Sequence, residues 1–172
     1  MNITIDDLGT LVAAQLTAAA ITVPFSQPFT CLMDDTPLFT ADELTNLKVT
    51  ILPFRFQPAP GKPMPGQQKP HRFRNINEYQ YVLSLGIQQK GPNLPISPPD
   101  PIRAFSAGLR LLIQELLHWL NKEGRRPILD PAGTSLWLKT IDVPELYNVA
   151  LLRNTRTFSS YCWLTYEEFV RE

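Results

Sequence analysis

The sequence predicts a single α+β domain, with an antiparallel or mixed β-sheet covered by a long central helix and an N-terminal helix. Residues 100–124 place apolar side chains three and four positions apart, the pattern of one buried helical face. Residues 77–89 alternate apolar and polar side chains, which is typical of a strand with one buried face. A chain of 172 residues buries about 70% of its unfolded surface. One domain over residues 1–172 therefore needs neither a metal nor a disulfide.

The central helix has start and stop signals at both ends. Asp100 is suited to cap the first turn, and Pro101 fits the first helical position, where its missing N–H would be unpaired anyway. Lys122 complements the carbonyl end, and Gly124 is expected to provide a left-handed stop. At 1.5 Å per residue the helix is about 34 Å long, enough to cover a whole sheet. Its apolar stripe comprises Ile102, Phe105, Leu109, Leu112, Ile113, Leu116 and Leu120.

Three further apolar residues of this helix, Leu111, Leu117 and Trp119, lie off the main stripe. One interpretation is a broad buried face in a thick core. The other is a second face that a neighbouring subunit covers, because a helix that is apolar on more than one side needs cover on more than one side.

An N-terminal helix is predicted over residues 4–20, where Thr4 and Asp7 match a capping box and Ile3 and Leu8 a hydrophobic staple. A second capping box, Thr40 with Glu43, predicts a short helical turn. The other predicted segments are an ordered but irregular connection over 23–38, a turn over 125–133, strands over 47–56, 136–141 and 157–166, and a segment over 144–152 that is helical or extended.

The strands at 47–56 and 77–89 are separated by residues 57–76, which contain five prolines and two glycines. Such a composition does not form a core element, and it predicts an extended hairpin arm or a flexible loop. Pro53 predicts that the far half of the first strand lies at a sheet edge or beyond the paired ladder.

Charge is strongly segregated, although the formal net charge is zero. Residues 1–47 hold six acids and no Lys or Arg, whereas residues 48–77 hold six bases and no acid. The basic arm is open to three interpretations: a solvated loop, a nucleic-acid contact using Phe54, Phe56 and Phe73 between its arginines, or a protein contact. In the protein-contact interpretation, the arm of one copy contacts the acidic N-terminal third of the next copy. A repeated heterologous contact of this kind can close into a ring. The interface residues proposed are Arg55, Lys62, Lys69, Arg72, Arg74, Asp6, Asp7, Asp34, Asp35 and Trp119.

No motif for catalysis or cofactor binding is recognisable. Gly61 and Lys62 lack the upstream glycine of a phosphate loop, and Ser106 lacks the first glycine of a nucleophile elbow. Two histidines are too few for a metal site. We expect no enzyme activity, no cofactor and no metal.

Two weaker signals predict the cellular compartment of the protein. Cys31 and Cys162 are interpreted as ordinary thiols of a reducing compartment. No apolar run reaches the ~18 residues of a membrane span. The expectation is a soluble intracellular protein.

Four segments carry a family resemblance: ADELTNLKVTILP leading into a strand, EYQYVLSLGIQQK as the return strand of a long hairpin arm, FSAGLRLLIQELLHWL as a central helix, and VPELYNVALLRNTRTFSSYCWLTYEEF at the end. With the short N-terminal helix, this order resembles the tail terminator (tail completion) proteins of long-tailed bacteriophages and related neck proteins. The resemblance covers most of the chain and consists of pattern, without an invariant chemical motif.

The resemblance implies a structural virion protein. Proteins of that family assemble, typically as hexameric rings, on the end of the tail tube, stop its growth and present the surface to which the neck of the filled head attaches. Implied partners are further copies of the chain, the tube protein, sheath protein in contractile tails and head-completion proteins. DNA passes through the lumen without sequence-specific binding. The implied location is the tail or neck of the virion, after assembly in the host cytoplasm. The alternatives are a head-completion or stopper protein of the same neck and a non-viral nucleic-acid-binding module.

Overall fold

The computed structural model describes residues 3–21, 28–36, 38–58, 79–92, 101–129 and 135–169. They form an α+β unit with a curled, mixed six-stranded sheet in the order β1-β2-β3-β6-β5-β4. This confirms the α+β class and the mixed sheet of the prediction. The elements, in chain order, are α1 Ile5–Ala18, β1 Cys31–Met33, a 3₁₀ turn Glu43–Thr45, β2 Lys48–Pro58, β3 Tyr79–Lys90, α2 Pro101–Lys122, β4 Ile128–Leu129, β5 Ser135–Glu145, α3 Val149–Thr155 and β6 Thr157–Phe169.

The centre of the sheet is the antiparallel set β2, β3, β6 and β5. On β3 the alternation predicted from the sequence is present, because Tyr81, Leu83, Leu85 and Ile87 are buried while the residues between them are only half-buried. β6 continues the same core face, with Leu164 opposite Leu83. The two sheet faces therefore differ, and the apolar face is the one on which the helices pack.

Helix α1 begins as predicted. The Thr4 hydroxyl accepts a hydrogen bond from the Asp7 N–H, and the Asp7 carboxylate accepts one from the Thr4 N–H. Leu8, Val12 and Leu16 are buried against β1 and β2. At the far end the Cys31 N–H donates to the Thr17 hydroxyl at 2.9 Å, which ties the end of α1 to the first residue of β1.

Helix α2 buries most of its predicted stripe, and Ile102 and Phe105 are partly buried against the core. Gly124 does not have the left-handed backbone expected of it, so that prediction is wrong. It is buried, and a Cβ there would lie 2.9 Å from the Leu120 backbone, so close packing explains the glycine. The predicted cap, Asp100, lies outside the described residues.

Two short edge strands were not predicted. β1 lies inside the connection expected to be irregular and pairs in parallel with residues 49–51 of β2. β4 lies inside the turn expected at 125–133 and pairs with the start of β5. Strands of two or three residues are too short to show a period of two, so they depend on their neighbours for pairing.

The position of β2 in the sheet agrees with the prediction from Pro53 that the far half of this strand lies at a sheet edge. β1 pairs β2 only as far as Ile51, so from Leu52 onward β2 forms a sheet edge among the described residues. Gln57 and Pro58 belong to β2, and they correct the start of the predicted arm. The rest of that arm, 59–76, lies outside the described residues.

The C-terminal third is more regular than predicted. β5 and β6 extend well beyond the expected strands, and the ambiguous segment 144–152 contains the end of β5 and the start of α3. Asn148 caps α3 by accepting from the Leu151 N–H at 2.9 Å. α3 ends at Arg156, which has a left-handed backbone with φ of 56°.

Candidate functional site

The four predicted acidic interface residues lie near one another beside the β1 edge. Asp6 and Asp7 are exposed in the first turn of α1. A Cβ at Gly9 would lie 3.3 Å from Cγ of Met33, so the first turns of α1 run beside the end of β1. Asp34 and Asp35 follow Met33 directly. We call these four aspartates the acidic flank.

The acidic flank is held by short-range hydrogen bonds. Hydrogen bonds from the Thr4 side chain and then from the Thr4 backbone lower the pKa of Asp7. Asp34 accepts from the Thr36 N–H at 2.9 Å, while its own N–H donates to the Ile51 carbonyl. The carboxylates of Asp7 and Asp34 are therefore held by neighbouring backbone N–H groups.

Of the predicted basic arm, only Arg55 lies among the described residues. It is exposed on the outer part of β2, with its guanidinium carbon 5.7 Å from the Phe54 ring centroid. A register shift between Pro53 and Arg55 turns Phe54 out of the regular pleat. Lys62, Lys69, Arg72 and Arg74 lie outside the described residues.

An aromatic cluster, which the sequence analysis missed, stands on the sheet face opposite the core. The Phe54 and Trp163 rings are stacked with centroids 5.7 Å apart, and Tyr161 lies 6.1 Å from Trp163. Phe54 and Tyr161 are exposed. The alternation along β6 could have predicted this aromatic cluster, because Tyr161 and Trp163 alternate with the buried residues Ser160, Cys162 and Leu164.

Beside this cluster is a shallow groove of about 190 Å³. Gly86 forms its floor, since a Cβ there would lie 3.0 Å from the Thr50 hydroxyl. Gln88 donates to the Ser159 hydroxyl at 3.3 Å across it. The groove offers hydroxyl and amide groups without a charged side chain; its lining is Thr50, Leu52, Ser84, Gly86, Gln88, Ser159, Ser160 and Tyr161.

A larger depression of about 580 Å³ lies where β1 and β2 begin. Its apolar wall is formed by Phe29, Val49 and Leu109, all buried, and Lys48 stands at its rim. The Lys48 ammonium is 5.3 Å from the Phe39 ring centroid, so it is already engaged in a cation–π contact.

The buried carboxylate Glu167 is fully engaged in the fold. Its Oε1 accepts from the Gln80 amide at 2.8 Å, and its Oε2 pairs with Lys139 at 3.2 Å. Lys139 is largely exposed, and it keeps one side of the pair in contact with solvent. This ion pair links β6 to β5, so the Glu167 carboxylate is engaged within the sheet.

Cys31, Cys162 and Ser106 are buried. Burial raises the pKa of Cys31 and that of Cys162 to about 12, so both stay as thiols at neutral pH. Ser106 donates to the Arg103 carbonyl within α2 at 3.1 Å. No group of three or more His, Cys, Asp or Glu within reach of one metal ion occurs in the described ranges.

The off-stripe residues of α2 fall into two groups. Leu117 and Trp119 are half-buried and pack against the core, as the thick-core interpretation predicts. Leu111 is 46% exposed and faces outward. Trp119 therefore lies at the margin of the core, and its predicted role in an interface stays a prediction.

Three exposed apolar residues lie in α3 or just before it: Leu146, Val149 and Leu151. The sequence analysis did not identify them as a surface. α3 is seven residues long and packs against β6, and Leu152 is its buried residue. Such a helix leaves apolar surface available for a contact.

The described helices include none whose length and hydropathy would suit a membrane span. A scan against protein-family models and searches of curated proteins and of solved structures return no match to this chain.

Proposed function

We propose that the protein is a structural component of a bacteriophage tail that caps the tube as a ring, ends its polymerisation and forms the joint with the head. The observation that carries the proposal is the position of the four resembling segments. They coincide with the turn before β2, with β3, with α2, and with the end of β5 through α3 to β6. They therefore form the framework of one sheet and its main helix.

The surface supports a role based on contacts. The buried carboxylate of Glu167 is used in the fold, and the thiols of Cys31 and Cys162 are buried. The described part of the chain presents outward an acidic flank, a sheet edge on β2, an aromatic cluster and the exposed apolar residues around α3. Surfaces of this kind suit protein association.

In this proposal the arm between β2 and β3 reaches the tube, the sheath or the adjacent subunit. Lys62, Lys69, Arg72 and Arg74 on the arm supply the charge, and β2 and β3, paired through Pro58 and Tyr79, form its base. The lumen of the ring would pass DNA without reading its sequence.

The test is capping of purified tail tubes, followed by electron microscopy and co-sedimentation. The Arg72→Glu/Arg74→Glu variant is expected to bind tubes more weakly while keeping the thermal unfolding of the wild type. Arg125→Glu/Arg126→Glu is the matched control, with the same charge change at exposed residues beyond α2. Normal capping by the arm variant would rule out the electrostatic role of the arm. Binding to portal rings instead of tubes would favour the stopper alternative.

The aromatic cluster favours a second candidate, a nucleic-acid-binding module. Stacked rings on an open sheet face with Arg55 beside them are a platform on which bases stack. Against it, Asp142 and Glu145 lie on the same face, opposite Trp163 and Tyr161. Salt-dependent binding of single-stranded DNA that Phe54→Ala abolishes would support this candidate, and absence of binding at low salt would exclude it.

A further inference from the structure

The sheet face opposite the core, which we call the outer face, carries the aromatic cluster at its centre. It is formed by β2, β3, β6 and β5, and residues directly opposite each other on neighbouring strands share it. Phe54 of β2 reaches across β3 and stacks on Trp163 of β6, with ring centroids 5.7 Å apart. Phe54 is 50% exposed, and Tyr161 is 42% exposed. The middle of the outer face is therefore aromatic and accessible.

Hydrogen-bonded polar side chains border this aromatic centre at both ends of the strands. At one end Gln57 donates to Gln80 at 3.1 Å, and Gln80 donates to Glu167 at 2.8 Å, in a line from β2 across β3 to β6. At the other end Gln88 donates to the Ser159 hydroxyl at 3.3 Å. An aromatic centre with a polar rim is the usual anatomy of a protein–protein interface.

Charged side chains of the outer face lie on opposite sides of the aromatic centre. Arg55 is exposed on β2, at one side. Asp142 and Glu145 are exposed on β5, at the other side, where their strand partners are the two aromatic residues of β6. The Lys139 ammonium on β5 pairs with the Glu167 carboxylate at 3.2 Å. The β2 side therefore carries a positive charge, and the β5 side carries two negative charges beside a neutral pair.

A two-fold rotation brings these opposite charges together. When two outer faces meet and the axis runs along the strands between β3 and β6, β2 of each copy lies over β5 of the other. Strand register places Arg55 in one row with Val82, Thr165 and Thr140. Arg55 of one copy then lies over Thr140 of the other, two residues before Asp142. Two residues of a strand span about 7 Å, a distance that an extended arginine side chain bridges.

The same rotation matches the shapes of the two faces. Tyr161 and Gly86 are directly opposite each other on β6 and β3, so Tyr161 of one copy lies over Gly86 of the other. Gly86 is the floor of the shallow groove of about 190 Å³, and the exposed ring therefore meets a depression. Both residues are close to the axis, so the rotation of about 30° that is usual between packed sheets displaces them little.

We propose that the outer face binds the outer face of a second copy, with Arg55 of each copy against Asp142 and Glu145 of the other. The contact is isologous, because the same residues contribute from both sides, and it closes at two chains. Burial of the aromatic rings provides affinity, and the charge pairs fix the orientation. The two acids disfavour a polyanion on this face. The inference goes beyond the proposed function and does not depend on it.

The experiment measures the mass and the dissociation constant of the purified full chain by sedimentation equilibrium. Interfaces of standard size have Kd values from micromolar to picomolar, so at roughly 100 µM wild type is expected to be associated, with at least twice the 19.5 kDa of one chain. Arg55→Glu and Asp142→Arg/Glu145→Arg each bring like charges together, and each is expected to halve the wild-type mass. Arg125→Glu, the same change at an exposed arginine beyond α2, is the control and should associate like wild type.

Mixing the two charge-reversed variants in equal amounts tests the pairing directly. In a mixed dimer both charge contacts are attractive again, one of them with its signs exchanged. The mixture is therefore expected to recover the wild-type mass. Thermal unfolding checks the fold of every variant, and Glu145→Arg alone replaces the double variant if that one does not fold.

Phe54→Ala tests the aromatic centre. It is expected to raise the Kd at least about tenfold, because the ring is lost twice in a two-fold dimer. Phe56→Ala is the matched control, since Phe56 is on the same strand and is 53% exposed. Its ring lies instead against Tyr79 and the buried Tyr81, with centroids 4.8 Å and 5.1 Å away, on the core face. This variant should keep the Kd within about threefold of wild type.

A single-chain mass for wild type at roughly 100 µM would overturn the proposal. A mass that either charge reversal leaves unchanged, or no recovery on mixing, would overturn it as well. Binding of single-stranded DNA by a wild type that stays a single chain would assign the outer face to nucleic acid instead. None of these measurements uses tail tubes. Failure to cap tubes would therefore refute the proposed function and leave this contact standing.

Discussion

Thr4 and Asp7 hold the first turn of α1 through a reciprocal pair of hydrogen bonds. The Asp7 N–H donates to the Thr4 hydroxyl at 3.1 Å, and the Thr4 N–H donates to the Asp7 carboxylate at 3.2 Å. The Thr4 hydroxyl also donates to the same carboxylate at 2.6 Å. Two backbone N–H groups that the helix leaves without partners are thereby satisfied.

Thr4→Ala is expected to lower the free energy of unfolding by about 1 kcal/mol, the usual cost of losing an N-cap side chain. Thr10→Ala, which removes only a hydroxyl bonded to the Asp6 carbonyl, is the control and should change stability much less. Chemical denaturation of both variants measures the difference. Equal losses would contradict the assignment of the cap.

The same pair predicts a pH dependence. The pKa of Asp7 is lowered by its hydrogen bonds with Thr4, so the stabilisation is present above the unfolded pKa of about 3.9 and is lost as pH falls through the folded value. Thr4→Ala removes the cause. Its stability should therefore fall less steeply below about pH 4 than that of wild type. Denaturation curves of both proteins across this pH range test the expectation.

Leu112→Ala is expected to destabilise the protein by about 2–5 kcal/mol, because it leaves a cavity under the sheet. Leu112 is 0% exposed, whereas its neighbour Leu111 is 46% exposed. Leu111→Ala makes the same chemical change on the same helix and should cost less than about 1 kcal/mol. Similar losses for the two variants would show that Leu111 is buried by a partner in solution.

Gly124→Ala is expected to cost about 1–3 kcal/mol through overpacking. The new Cβ would lie 2.9 Å from the Leu120 Cα and carbonyl oxygen, and backbone atoms there have little room to move. Gly9→Ala is the contrast, since its Cβ would meet the flexible Met33 side chain at 3.3 Å. Its net effect should stay within about 1 kcal/mol, because alanine also favours the helix. Thermal unfolding of the Gly124→Ala and Gly9→Ala variants measures the two effects, and equal losses would contradict the crowding at Gly124.

Cys31 and Cys162 are expected to react with a thiol reagent at pH 8 only when the protein unfolds. Burial raises both pKa values to about 12, and the thiolate is the reactive form. An unfolded thiol ionises near pH 8.5, so the free energy of unfolding should fall as pH rises from there towards 12. Labelling followed by mass spectrometry, with and without denaturant, measures the protection. Fast labelling of the folded chain would contradict the burial.

Much of the framework was accessible from the chain alone. The period of two on β3, the apolar spacing of α2 and the Thr4–Asp7 cap are local patterns, and the structure has all three. β1 and β4 were not accessible, since two or three residues show no period and pair only because β2 and β5 offer them an edge. Gly124 was expected to have a left-handed backbone, but the structure explains it by crowding against the Leu120 backbone one turn earlier.

The candidate surfaces divide in the same way. The sequence by itself determined that the first 47 residues are acidic without a base, because charge is a property of composition. Only the tertiary structure decided that Asp6 and Asp7 lie beside the same edge as Asp34 and Asp35. Asp6 and Asp35 are 29 positions apart in the chain. Sheet pairing and helix packing bring them together, and no local pattern records a long-range contact.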